Sequence, residues 1–155
     1  MSVPAGAQVL DVAAGGGRHA RLFAARGCTV LAVDRDVAAL QARPDPDITV
    51  LQADLEGATW PLPGRTFAAV VVTNYLWRPL LPTLVASVAR GGVLLYETFA
   101  VGNERFGRPK NLDFLLRDGE LLAAVRGQLD VVEYAHGEEG SPPFAVKQRL
   151  CARRP

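Results

Sequence analysis

Short apolar runs alternate with stretches whose apolar positions recur at helical spacing, and the alternation runs the length of the chain. Ala7 to Val12 reads as a first strand ending on Gly15-Gly16-Gly17. Arg18 to Arg26 follows as a helix, with Leu22 and Phe23 on its apolar face and Gly27 as its stop. Thr29 to Val33 gives a second strand closed by Asp34, and Asp36 is placed to cap a short helix through Leu40 and Gln41. Ile48 to Gln52 gives a third strand, followed by Ala53-Asp54; Gly57, Pro61, Pro63 and Gly64 then make the crossover loop-like. The unbroken run Ala68 to Val72 suits a fourth strand, Phe67 to Thr73, buried on both faces of a parallel sheet. Pro82 to Arg90 is predicted as a helix, with Leu84, Val85 and Val88 on one face and Gly91-Gly92 as its stop. Val93 to Thr98 is a fifth strand and Phe99 to Arg117 a long loop. Asp118 is expected to cap a helix over Gly119 to Arg126. Leu129 to Ala135 and Phe144 to Cys151 complete the strands; too few residues join them for a parallel crossover, so they should pair antiparallel.

Strands alternating with helices imply one α/β domain over residues 1–155, with a doubly wound, mostly parallel seven-stranded sheet that ends in an antiparallel hairpin. Such sheets bind ligands outside the carboxyl ends of their strands. The polar punctuation falls there: Gly15 to Gly17, Asp34, Asp54, Asn74 and Glu97.

Composition narrows the partners. Seventeen basic and 16 acidic residues leave a net charge of +1, without the basic excess that phosphate neutralisation on nucleic acid asks for. Cys28 and Cys151 lie in apolar stretches, and neither has a second ligand at metal spacing, so neither a metal site nor a disulfide is expected. The start, Met1 to Gly6, lacks a basic segment followed by an apolar run, and no apolar run is long enough to span a bilayer. A cytoplasmic protein with no membrane partner is the expectation.

The strongest chemical signal is Val9-Leu10-Asp11-Val12-Ala13-Ala14-Gly15-Gly16-Gly17. Glycines after a strand let backbone approach a ligand closely, and the following helix points its free amides to the same place. Asp34, about 20 residues on, sits where a carboxylate accepts both hydroxyls of a ribose. That pair suits any adenosine cofactor. Read alone, Asp34 is a solvated strand-end acid and Asp54 a turn cap.

These residues resemble the first motif of the class I S-adenosylmethionine-dependent methyltransferases, an acid followed by three alternate glycines: here Asp11, then Ala13 at the first glycine position, Gly15 and Gly17. The resemblance implies a Rossmann-like methyltransferase fold, S-adenosylmethionine as cofactor and S-adenosylhomocysteine as product. It makes Asp11 an organiser of the cofactor's amino-acid end, directly or through water. It places the Asp34-Arg35 pair at the ribose, Asp54 and the Leu55 amide at the adenine, and Asn74 beside the methionine moiety. Within the superfamily the chain is similar to small bacterial methyltransferases of the tellurite-resistance type, through Gly15 to Ala20, Asn74-Tyr75-Leu76, Glu97-Thr98-Phe99 and the stretch from Arg108 to Leu121. Those relatives usually carry an extra helical segment before the first strand, so this chain is short at its N-terminus by comparison.

Methyl transfer from a sulfonium needs alignment and little water, so no catalytic triad is expected. Tyr75, Trp77, Arg78, Glu97, Asn103, Arg105 and Arg108 are the acceptor-pocket candidates, and the cationic loop suggests a small, anionic acceptor. His19 is read as a capping or surface residue and His136 as exposed. A homodimer is compatible with these features. The rival readings are a non-catalytic S-adenosylmethionine-binding domain and an NAD(P)-dependent oxidoreductase; Asp11, Asp54 and the imperfect glycine pattern weigh against the second.

Overall fold

A computed structural model describes residues 2–155. Its sheet has seven strands: β1 (Gln8–Val12), β2 (Thr29–Asp34), β3 (Ile48–Gln52), β4 (Phe67–Thr73), β5 (Val88–Phe99), β6 (Asp130–Glu139) and β7 (Ala145–Arg153). Their order is β3-β2-β1-β4-β5-β7-β6. The first five run parallel, and β7 pairs antiparallel with both β5 and β6. The strand order reverses between β1 and β4, which opens a crevice at their carboxyl ends.

Alternation along the strands builds a core on each face. Val9, Val30, Ala32 and Val71 pack with Ala20 and Phe23 of α1 (Arg18–Ala24) and Leu40 of α2 (Ala38–Gln41). Leu10, Val12, Val70 and Leu94 face the other way. They pack with Leu84 and Val85 of α3 (Leu81–Ala86) and Leu121 and Val125 of α4 (Glu120–Val125). Asp36 lies one residue before the N-cap of α2, which is Val37, and does not cap the helix itself; its carboxylate accepts the Ala38 amide at 3.1 Å across the preceding turn.

Several local expectations fail for identifiable reasons. The third helix stops at Ala86, and Val88 already pairs with Phe67 in the sheet. Gly91-Gly92 therefore belongs to an irregular strand, not a helix stop. A Cβ on Gly92 would come within 2.8 to 3.0 Å of the carbonyl oxygens of Ala89, Ala68 and Phe67. Asp118 does not cap α4: its exposed carboxylate meets His136 Nδ1 at 3.2 Å, and the Arg117 amide bonds Glu120 Oε1 instead. The hairpin strands are longer than expected, because β6 continues through Gly137 and β7 to Arg153. Leu22 is 45% exposed. Among the described residues, α1 and α2 are the helices on its face of the sheet, over the β1–β3 side, and Leu22 borders an open hollow of about 420 Å³ lined by Val71, Leu95 and Cys151 among others.

The segment from Ala100 to Arg117 is folded onto the domain. Ala100 bridges Leu116, and Ala100, Leu115 and Leu116 are fully buried. Among the described residues, no helix is long and apolar enough to cross a membrane, and no cluster of His, Cys, Asp and Glu could hold a metal ion.

Candidate functional site

Hydrogen bonds between neighbouring chain segments continue past the strand ends, and this aligns the tips. The Ala14 amide bonds the Val33 carbonyl (3.0 Å), Ala53 bonds Asp34 (3.0 Å) and Asn74 bonds Glu97 (2.9 Å). A cleft of about 460 Å³ runs across the tips of β3, β2, β1 and β4, lined by Ala13, Asp34, Arg35, Asp54, Leu55 and Asn74 among others. Ala13 and Asn74 both adopt left-handed backbone, each with φ 54°. That conformation is strained for alanine, and it explains why the family's motif has glycine at the Ala13 position.

Gly15 and Gly17 shape the turn. Gly17 has φ 81°, and a Cβ there would collide with the Arg21 side chain and with Leu40 of α2. Asp34 ties the turn to β2: its Oδ2 accepts the Gly15 amide at 2.8 Å and its Oδ1 accepts the Asp36 amide at 2.9 Å. Each carboxylate oxygen accepts more than one hydrogen bond, so capacity remains for ligand hydroxyls. Asp54 Oδ1 accepts the Glu56 amide at 2.9 Å, which turns the chain and presents Leu55 and Glu56 to the cleft.

Asp11 lies beneath the start of α1 at 2% exposure, between Ala32 and Val71 in the ladder. Its Oδ2 is buried without a hydrogen-bond partner. Burial pushes the carboxyl up to about 7; a hydrogen bond with the Ala20 backbone opposes this and the Asp34 charge adds to it. Asp11 does not line the cleft, which Ala13, two residues on, does; its buried carboxyl with a free oxygen fits a partner that brings a hydrogen-bond donor or positive charge.

Toward the loop the cleft continues into a second hollow of about 240 Å³. Glu56, Asn74, Tyr75 and Phe114 line both, and Leu76, Thr98, Phe99 and Pro109 complete the second. The Tyr75 hydroxyl lies 3.4 Å from Glu56 Oε1. Burial, reinforced by the Glu56 and Asp54 charges, raises the Tyr75 phenol above its ordinary range and keeps it protonated.

The other acceptor candidates are placed elsewhere. Asn103 is buried, donating to the Pro109 carbonyl (3.3 Å) and accepting from the Val146 amide (3.0 Å), so it braces the loop. Arg105 pairs with Glu138 at 3.1 Å and stacks on Phe106. Arg78 donates to Glu120, to the Asp113 carbonyl and to the Leu115 carbonyl at 2.7 to 3.0 Å, pinning the loop and α4 to the segment after β4. Trp77 packs against the core. Glu97 lies on the α1 face, bonded to Lys147 (2.9 Å) and Arg149 (2.7 Å). Burial raises its carboxyl, but those two cations outweigh it and hold the group below the usual carboxylate range. His19 lines the same open hollow, and burial with the Arg18 charge lowers its pKa, favouring the neutral ring. Arg108 is exposed beside Lys110, next to Pro109 and Phe114.

Glu56 escapes a sequence reading, and Phe114 falls within the loop Phe99 to Arg117 assigned to the acceptor pocket without being singled out. The signals were slight: an acid two residues beyond Asp54, and the apolar triplet Phe114-Leu115-Leu116 inside a polar loop.

A sheet of this order, with its crevice at the switch point and acids on neighbouring tips, defines a nucleoside-binding α/β domain of the methyltransferase type. The chain matches the methyltransferase domain family over residues 9–91, more than half its length, and belongs to that family. Its fold is that of S-adenosylmethionine-dependent methyltransferases. A crystal structure of one from Mesorhizobium loti superposes with a TM-score of 0.74 at 17% identity, covering 99% of this chain and 94% of that one. TehB from Haemophilus influenzae gives 0.74 at 19% identity, over 96% of this chain and 58% of TehB. The N-methyltransferase NodS from Bradyrhizobium japonicum, solved with S-adenosyl-L-homocysteine, gives 0.73 at 18%, over 97% and 79%. No curated protein sequence matches the chain.

Proposed function

We propose that the chain binds S-adenosylmethionine along the strand-tip cleft and transfers its methyl group to a small molecule held in the adjoining hollow, in the cytoplasm. The observation that carries this reading is the run of Asp54, Asp34, Ala13 and Asn74 along one cleft, with the unpartnered oxygen of Asp11 buried at the neighbouring strand end. When bound, the cofactor supplies a methyl group already activated on a sulfonium.

The chain's own residues bind and align. Asp34 accepts the ribose hydroxyls while its bond to Gly15 fixes the turn. Asp54 and the Leu55 amide take the adenine edge. Asp11 receives the amino-acid end, directly or through water, and Gly15 and Gly17 keep the turn free of side chains. Asn74 and Tyr75 stand between the two hollows and set the line of attack. Acids along the cofactor cleft also suit a ligand that carries positive charge on sulfur and nitrogen.

Titration calorimetry tests the reading. S-adenosylhomocysteine should bind the chain and NAD should not, and Asp34→Ala and Asp54→Ala should each weaken that binding. Binding of NAD in preference would return the domain to the oxidoreductases. Tight S-adenosylhomocysteine binding with no methyl release over a broad acceptor panel would favour a non-catalytic binding domain.

A further inference from the structure

The hollow beside the cofactor cleft has a chemical polarity that narrows the acceptor. Its walls are aromatic and apolar: Tyr75, Phe99, Pro109 and Phe114. Phe114 is 45% exposed and lines both the slot and the cofactor cleft, so its ring face is open to a ligand. At the outer end, Pro109 and Phe114 are shared with a shallower hollow that carries Arg108 and Lys110. Neither cation makes an ion pair among the described residues, whereas Arg78, Arg105, Lys147 and Arg149 are all paired. At the inner end stand Glu56, Asp54 and Asp34 with one cation, Arg35, so carboxylates outnumber cations three to one there. The groove thus runs from carboxylates at the cofactor, across an aromatic slot, to two unpaired cations at the mouth.

We propose that the acceptor is a flat aromatic molecule carrying an anionic group, held ring-first in the slot with its anion toward Arg108 and Lys110 and its nucleophilic oxygen or nitrogen toward Asn74 and Glu56. This rests on the cofactor reading above. The field orients the substrate: the anion is drawn to the mouth and repelled from the inner carboxylates, so only the nucleophilic end faces the methyl group. For a phenolic acceptor, the oxygen forms the new bond to the methyl carbon and the sulfur–carbon bond breaks with its electron pair left on sulfur. The phenolic proton passes to the Glu56 carboxylate. The aromatic walls supply area and stacking, and the cations supply selection between ligands of equal shape.

Calorimetry on the full chain saturated with S-adenosylhomocysteine tests this without turnover. Matched pairs serve as probes: para-hydroxybenzoate against para-hydroxybenzamide, and protocatechuate against its primary amide. The carboxylates should bind more tightly than the amides by roughly tenfold at low salt, and the gap should shrink as salt is added. Arg108→Ala with Lys110→Ala should erase the gap and leave S-adenosylhomocysteine affinity unchanged, while Phe114→Ala should weaken both members of each pair. Equal binding of carboxylate and amide, no binding of any aromatic anion, or displacement by inorganic phosphate as effective as by an aromatic acid would overturn the proposal. Failure of S-adenosylhomocysteine to bind would instead strike the cofactor reading, and the two failures are separate measurements.

Discussion

The two ends of the groove are held in different ways. At the cofactor end the walls are built on strand tips, fixed by backbone bonds that prolong the ladder, and Ala13, Asp34, Asp54 and Asn74 there carry short side chains beside the longer Arg35 and Leu55. At the acceptor end the wall belongs to a segment whose position depends on side chains from distant parts of the chain. Arg78 grips its carbonyls, Gln148 bonds the Arg117 carbonyl at 2.6 Å, and Asn103 is pinned by β7. A backbone-built site tolerates sequence drift and serves one cofactor across many proteins. A wall built from side chains can be remade without touching the cofactor, which is how one fold comes to serve many acceptors.

The sharpest break should come at Asp11. Burial holds its carboxyl at about 7 in the folded chain against 3.8 ordinarily, so between these values the folded state keeps a proton that the unfolded state has released. Its stabilising effect is complete below about pH 4 and is lost as pH rises toward 7, by up to about 4 kcal/mol. Asp11→Asn cannot titrate and should lose this slope. Urea titrations of both proteins at pH 5 and pH 8 measure the difference, and parallel pH profiles would refute it.

Next in size is Asp34→Ala, which removes the anchor of the Gly15 turn together with the proposed ribose acceptor. S-adenosylhomocysteine affinity should fall by about 3 kcal/mol, roughly a hundredfold, with the acceptor wall unaffected. Arg78→Ala should act in the opposite sense. Leaving Glu120 and two carbonyls without their donor should cost about 2 kcal/mol of stability and raise hydrogen exchange at residues 112–116, with cofactor affinity within about twofold of the original. Equal damage to cofactor binding by this substitution would show that the two ends are not independent. The smallest effect is a gain: Ala13→Gly relieves left-handed backbone and should stabilise the chain by about 0.5 to 1 kcal/mol in thermal unfolding.

Legibility follows the same division. The glycine turn, Asp34 and the buried run of β4 were readable because short-range rules govern them, and the strand-tip acids followed once the strands were placed. Val88 was misread because its helical spacing from Leu84 and Val85 is genuine, while the bulge that draws it into β5 depends on contact with Phe67 and Ala68. Arg78, Asn103 and Arg105 looked like ligand-binding residues, since polarity near a site is visible in sequence and the partner that consumes it is not. Glu56 owes its position to the turn that Asp54 caps, a local bond with a distant result.

The grip of Arg78 on the Asp113 and Leu115 carbonyls carries one kinetic consequence. A stretch held at two carbonyls by one distant side chain is restrained there, and solvent viscosity is expected to leave turnover almost untouched. On the proposed acceptor reading, the dry environment that methyl transfer favours comes from the docked ring, which closes the mouth.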